Sequence, residues 1–432
     1  MKCHYACGSA EHGIARRSFL GGVAAAGWGA MAANFGLGSL LQPVVAKELA
    51  SAQKRVLCIF LSGGLSQLES WDPKPGTDTG GPFRAIPTSV PGLHISELLP
   101  YTAKQMHRLS IIRSLNIKTN DHSTGRIQML TGRKREGITY PEIGATMAKV
   151  LTPDGSPLPG HIQITPVGSD SNSGNEAAYL GPQWASVTLA DGQPPQNTTR
   201  PKAVDATADQ RRNAFRLHAN EYFTSRRRSA DSDAYTSSFE QAERLMARRE
   251  VFDVTKEPTK EQERYGTHEF GRHCLLARRL LEQGVSYVQV RHTNYDTHFE
   301  NFDFHIEQLG EFDHTFATLM DDLAQRGLLE TTLVVVMSEF GRTPKINERY
   351  GRDHWGTAIS VALGGCGIQP GAVIGKTNAN GTAVTDREVD HGHLFHTYLR
   401  AVGVDSSAKF VVGGKELPMA DPAKSPITEL LA

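Results

Sequence analysis

The chain has 432 residues, and 46 basic side chains balance 46 acidic ones, so its formal charge is +0. Hydrophobic residues make up 39% and charged residues 21%, which excludes a disordered or fibrous chain; neutrality excludes a dedicated nucleic-acid binder, which needs a basic face to displace counterions. Five cysteines (Cys3, Cys7, Cys58, Cys274 and Cys366) without paired metal-ligand spacing exclude a disulfide scaffold.

The N-terminus carries Ala15-Arg16-Arg17-Ser18-Phe19-Leu20, and no charged residue follows until Lys47. Two adjacent arginines ahead of such a run resemble the twin-arginine export signal, with Val44-Val45-Ala46 as the small residues where a peptidase would cut. A permanent span would want about 20 strongly apolar residues. Gly21, Gly22, Gly27, Gly29, Gly36 and Gly38 weaken the run as a membrane anchor, so no stable membrane span is expected. Residues 1–46 are read as the signal segment and 47–432 as one domain. The expected location is periplasmic or extracellular, with the twin-arginine translocation machinery as a partner.

Further along, short β-branched apolar runs at 56–61, 109–115, 161–165, 287–291, 332–338 and 360–365 predict strands, several buried on both faces. The spacing of Phe312, Phe316, Leu319 and Leu323 predicts a helix over 304–327, and 259–284 reads as one charged helix stopped by Gly284. This alternation implies a mostly parallel sheet with helices on both faces, in which chemistry gathers at the carboxyl ends of strands. Two stretches depart from it. Residues 166–210, rich in Gly, Ser, Asn and Pro, read as a long loop, and 211–258 as a solvated helical insertion carrying the basic triplet Arg226, Arg227 and Arg228.

Three clusters fall at or after predicted strand ends: Asp296 and His298 after 287–291, Glu339 and Arg342 after 332–338, and Asp353 with His354 in the next loop. Carboxylates and imidazoles without thiolates suit one hard or borderline divalent ion, namely Ca, Mg, Mn or Zn. A fourth element, Asn120 to Arg133, follows the strand at 109–115 and opens a helix whose cap is read as Ser123 or Thr124. Its backbone N–H groups, with Arg126 as a fork for two ester oxygens, suit an anion, and His122 suits nucleophilic or acid–base work. Asp390, His391, His393 and His396 do not share one helix face and are read as structural.

Leu130-Thr131-Gly132-Arg133, preceded by Arg126, is similar to the sulfatase active-site signature, with His122 where that family has a modified Cys or Ser. The strand ending Ser338-Glu339-Phe340-Gly341 resembles the Ser-Asp-His-Gly strand of the alkaline phosphatase and sulfatase superfamily. Several pieces together resemble one branch of it, domain of unknown function 1501. They are the twin-arginine start, Gly63-Gly64-Leu65-Ser66-Gln67, Asp72-Pro73-Lys74-Pro75-Gly76, Glu263-Arg264-Tyr265-Gly266, Asp296-Thr297-His298, Glu339-Phe340-Gly341-Arg342-Thr343-Pro344 and Gly351-Arg352-Asp353-His354-Trp355.

The resemblance implies an alkaline phosphatase-like three-layer α/β sandwich and a sulfatase-like hydrolase of anionic sulfate or phosphate esters. Asp296, His298, Glu339 and His354 would hold the cation, Arg342 and Asp353 would fix those ligands, and His122 and Arg126 would be catalytic. The first predicted strand ends Ser62-Gly63-Gly64 without the carboxylates that metal-dependent relatives carry there, and Phe340 replaces a histidine, which leaves a one-metal site. The opposing expectation is a binding protein on the same scaffold that recognises sulfated or phosphorylated glycans without turnover. A third is a membrane-attached structural protein whose N-terminal segment stays uncut.

Overall fold

The computed structural model describes residues 53–134, 137–168, 175–190, 193–194, 198–225 and 230–432. The signal segment and the basic triplet at 226–228 lie outside the described residues. The main sheet contains β1 (Arg55–Leu61), β2 (Leu109–Leu115), β3 (His161–Thr165), β4 (Val187–Ala190), β5 (Tyr287–His292), β6 (Thr332–Met337), β7 (Ile359–Gly365) and β8 (Val373–Ile374), in the order β8-β2-β7-β6-β1-β5-β3-β4. β7 runs antiparallel to β2 and β6, and the other pairings are parallel. The helices that matter here are α1 (His122–Thr131), α2 (Ile143–Leu151), α3 (Ala206–Thr224), α4 (Ala230–Ala247), α5 (Thr259–Tyr265), α6 (Glu269–Glu282), α7 (Asn301–Gln325) and α8 (His391–Ala401).

Every residue of central β1 is buried, and the two-residue period splits its side chains between two cores. Leu57, Ile59 and Leu61 meet Phe270, Leu276 and Leu280 of α6 and Phe312, Phe316 and Leu319 of α7. Val56, Cys58 and Phe60 meet Met129 and Leu130 of α1, Ile143 and Met147 of α2, and Leu394 and Tyr398 of α8. The result is the expected three-layer α/β sandwich with a mostly parallel sheet. Among the described residues no helix is long and apolar enough to cross a membrane.

Two sequence expectations need correction, and one strand was not anticipated. The stretch at 259–284 is two helices, broken at Gly266 (φ 96°), and α6 restarts where His268 Nδ1 accepts the Gly271 N–H at 3.2 Å. The stretch at 166–210 is not all loop. Val187–Ala190 pairs with β3 as the sheet's edge strand, too short to show a period, and α3 begins at Ala206, capped by Asp205 accepting the Ala208 N–H at 2.7 Å. That strand is β8, two residues long.

His161 on β3 brings an imidazole into the second core. Its Nδ1 faces the Trp184 carbonyl at 3.2 Å and so donates, its Nε2 has no partner, and Tyr287 packs edge-on against the ring. A side chain on Gly144 would collide with the same ring, its Cβ 2.3 Å from Nε2. Burial holds the His161 pKa down at about 4, so the folded chain refuses a proton that the unfolded chain accepts near pH 6.5. Stability from this residue is therefore lost as pH falls from 6.5 towards 4, by roughly 3 kcal/mol in full. In urea unfolding at pH 7 and pH 4.5, the stability gap between wild type and His161→Gln should narrow by roughly 2 kcal/mol at the lower pH; a gap independent of pH would refute this.

Candidate metal and catalytic centre

The loops leaving β1, β5 and β6 meet at the carboxyl rim of the sheet. Ser62 N–H donates to His292 O at 2.7 Å, Tyr295 N–H donates to Ser62 O at 3.3 Å, and Ser338 Oγ donates to Leu61 O at 2.5 Å. Gly63 turns the chain at φ 116°, and a Cβ there would lie 2.5 Å from Asp296 N. Both conditions require glycine. Its N–H then reaches Glu339 Oε1 at 2.8 Å. Gly63→Ala should destabilise the protein by roughly 3 kcal/mol or more; an unchanged urea midpoint would show that the turn tolerates a side chain.

α1 begins at His122. Its cap is Asp121, not Ser123 or Thr124, because the Asp121 carboxylate accepts both the Thr124 N–H at 2.8 Å and the Thr124 hydroxyl at 2.7 Å. His122 Nδ1 lies 2.8 Å from Glu339 Oε1, and Nε2 lies 3.4 Å from Asp296 Oδ2. The hydrogen bond to buried Glu339 is the largest influence on His122 and raises its pKa; burial works against it, and the charges of Glu339 and Asp296 add to it. Phe340 walls the group, its ring 4.7 Å from that of His122 and 4.5 Å from that of His354.

Next to this pair, three ligand-type atoms converge. His298 Nε2 and His354 Nε2 are 2.9 Å apart, and they lie 3.2 and 3.1 Å from Asp296 Oδ1. His354 Nδ1 faces the Asn120 carbonyl at 2.7 Å, and His298 Nδ1 faces the Asp353 carboxylate at 2.8 Å. Both partners only accept, so each Nδ1 carries a proton and each ring turns its Nε2 inwards, towards Asp296. Three lone pairs at these separations need a cation or a proton between them. For bonds of about 2.1 Å, tetrahedral ligands sit about 3.4 Å apart, so a small opening of the cluster accommodates a divalent ion. His122 belongs to the same locality, and His122, Asp296 and His354 each offer a ligand atom within 4.8 Å of the others.

Arg342 is fully buried. It donates to Asp296 Oδ1 at 2.5 Å, to the carbonyls of Gly63 and Gly64, and to Arg352 O at 3.1 Å. Burial pushes the Asp296 carboxyl up, but Arg342, with His354 and His122, brings it down to about 2. Arg352 in turn grips Glu69 through Nε (3.0 Å) and Nη2 (2.7 Å), with both side chains fully buried. Glu69, the first carboxylate after β1, is thus committed to a structural pair. Asp72 is likewise paired with Lys74 at 2.8 Å.

The structure brings His122, Glu339, Asp296, His298, His354, Arg342 and Asp353 to one rim. Glu339 sits on the His122 side of the group. Arg126, one turn along α1, lines the same cavity of about 840 Å³ and donates to Glu142 Oε1 at 3.1 Å. Sequence reasoning passed over Glu142 and Arg291, which also line the cavity. The one signal for Glu142 was an acidic residue directly before the α2 pattern, which reads as a helix start; yet its side chain makes no capping bond. At the start of α8, Asp390 forms a capping box with His393, and His396 Nε2 faces Asp421 O, so these imidazoles serve the local structure.

Fold and rim together define an α/β sandwich with an oxygen- and nitrogen-donor cluster at the carboxyl ends of its parallel strands. The chain belongs to the family described as Protein of unknown function (DUF1501), which matches residues 53–431. Among solved structures it is similar to a protein of the alkaline phosphatase superfamily from Vibrio parahaemolyticus, at 12% identity and TM-score 0.39, covering 90% of this chain and 78% of that one. It is also similar to the PsFucS1 sulfatase from Pseudoalteromonas sp., at 13% identity and TM-score 0.39, covering 89% of this chain and 77% of that one. The alkaline phosphatase of the Antarctic bacterium TAB5 gives 13% identity and TM-score 0.37, covering 81% of this chain and 98% of that one. No curated protein sequence matches.

Proposed function

We propose that the protein is an exported hydrolase of anionic sulfate or phosphate esters that works with one divalent cation. The observation that carries this reading is the convergence of Asp296 Oδ1 with the Nε2 atoms of His298 and His354, all within 3.2 Å of one another, beside a carboxylate–imidazole pair. Asp296, His298 and His354 would hold the cation, and their mixed donors suit Zn or Mn better than Ca or Mg. When bound, the ion supplies Lewis-acid polarisation of an ester oxygen.

The chain's own residues do the rest. Glu339 keeps the His122 Nδ1 proton in place, so Nε2 presents its lone pair and accepts the proton of an attacking water as general base. Arg126 and the start of α1 stabilise negative charge on the transferring group. Arg342 and Asp353 hold Asp296 and His298 in position. Residues 1–46 would carry the folded protein out by the twin-arginine route.

The test is metal analysis of the purified protein, paired with aryl sulfate and aryl phosphate esters assayed with and without chelator. Turnover that chelation abolishes and a divalent ion restores is the expected result. A protein that holds no ion and is inert on both panels would overturn the hydrolase and favour glycan recognition. N-terminal sequencing of exported material should find the chain cut near Ala46; an intact terminus would refute the export reading.

A further inference from the structure

We infer that Glu142 is the proton donor to the leaving group of the ester, a role that rests on the hydrolase reading above. The geometry begins on α1. Arg126 follows His122 by four residues, one helical turn or about 6 Å along the axis. Its guanidinium carries on to Glu142 Oε1, so Glu142 lines the same cavity as His122, further along it. An in-line displacement needs a base for the attacking water and an acid for the leaving oxygen, and this cavity is lined by both an imidazole and a carboxyl.

The position of Glu142 is built. It is the residue before α2, and its N–H donates to Glu176 O at 2.8 Å. The side chain turns away from the helix start, and the Arg126 contact is the hydrogen bond its carboxylate makes among the described residues. The charged groups facing it are Arg126 on α1, Arg291 on β5 and the buried Glu176. Burial drives the Glu142 carboxyl up, Arg126 pulls it back and Glu176 pushes it up again, leaving it at about 7. A carboxyl balanced there is half protonated in neutral solution. An arriving sulfate or phosphate group draws Arg126 to itself and repels the carboxylate, so substrate favours the acid form.

In the step itself, the water oxygen bonds to phosphorus or sulfur and gives its proton to His122 Nε2. The bond to the leaving oxygen breaks, its electron pair stays on that oxygen, and the Glu142 proton neutralises it. The products are an alcohol and the inorganic anion, with one proton moved from Glu142 to His122 to be exchanged back through solvent.

The test compares full-length wild type, Glu142→Gln and Glu142→Asp, loaded with the divalent ion, on a 4-nitrophenyl ester and an alkyl ester of the same acid. For Glu142→Gln, kcat/KM on the alkyl ester should fall about 100-fold or more and on the nitrophenyl ester less than about 5-fold, because nitrophenolate leaves without a proton. Glu142→Asp should restore part of the alkyl activity, and wild type should lose alkyl activity above pH 7 where Glu142→Gln shows no such limb. Independently of turnover, binding of inorganic sulfate at pH 7 should draw more proton into wild type than into Glu142→Gln, where His122 alone remains to take it up. Equal loss on both esters, no loss on either, or equal proton uptake would overturn the role while leaving the hydrolase reading intact. Wild type inert on every ester would overturn both.

Discussion

Asp296→Asn should strip the centre of its cation. Asp296 Oδ1 is the one atom that both His298 Nε2 and His354 Nε2 approach, and it also takes the Arg342 guanidinium at 2.5 Å. The amide keeps the shape and removes the charge, which leaves two imidazoles beside a buried positive group. Loss of a residue that merely orients a ligand costs about 10–100-fold in metal affinity, so losing this carboxylate should cost more than about 100-fold. Asp353→Asn, which disturbs only the partner of His298 Nδ1, should stay within that 10–100-fold range. Titration of the metal-free protein with Zn and Mn, read by calorimetry, separates the two. Unchanged affinity in Asp296→Asn would move the ion elsewhere and remove the basis for the proposed chemistry.

His122→Gln should be the second large effect, about 1,000-fold in kcat with cation affinity nearly intact. His122 is 39% exposed at the cavity wall, its Nδ1 2.8 Å from Glu339 Oε1 and its Nε2 3.4 Å from Asp296 Oδ2. Glu339→Gln is the informative companion. If Glu339 acts through His122, the variant keeps its cation and loses roughly 10–100-fold in kcat. If Glu339 is itself a ligand, cation content falls along with activity. His122→Gln with wild-type turnover would remove the imidazole from the mechanism.

Much of this centre was legible because its residues sit where strand patterns stop. β1, β5 and β6 are buried on both faces, and the apolar runs of β1 and β6 mark their ends, so Glu339 stands out just after β6, while Asp296 and His298 lie in the loop that follows β5. Partnership was less legible, since it depends on which loop lies beside which. Nothing in Ser338-Glu339 says that the carboxylate turns to an imidazole 217 positions earlier rather than to His298. Glu142 and Arg126 are joined by the packing of two helices, and an acid before a helix has an ordinary explanation already. The break at Gly266 was hidden by the charged residues that run on both sides of it, and β4 and β8 are too short for any periodicity to register.

Arg342 has one more consequence. Its guanidinium occupies the ground between the β1 turn and Asp296, held there by the carbonyls of Gly63 and Gly64. The guanidinium already fills that ground, so an ion placed there would have to displace it from both carbonyls. On the proposed hydrolase reading, this guanidinium would be a fixed positive charge beside the first strand's turn, one that dialysis cannot remove.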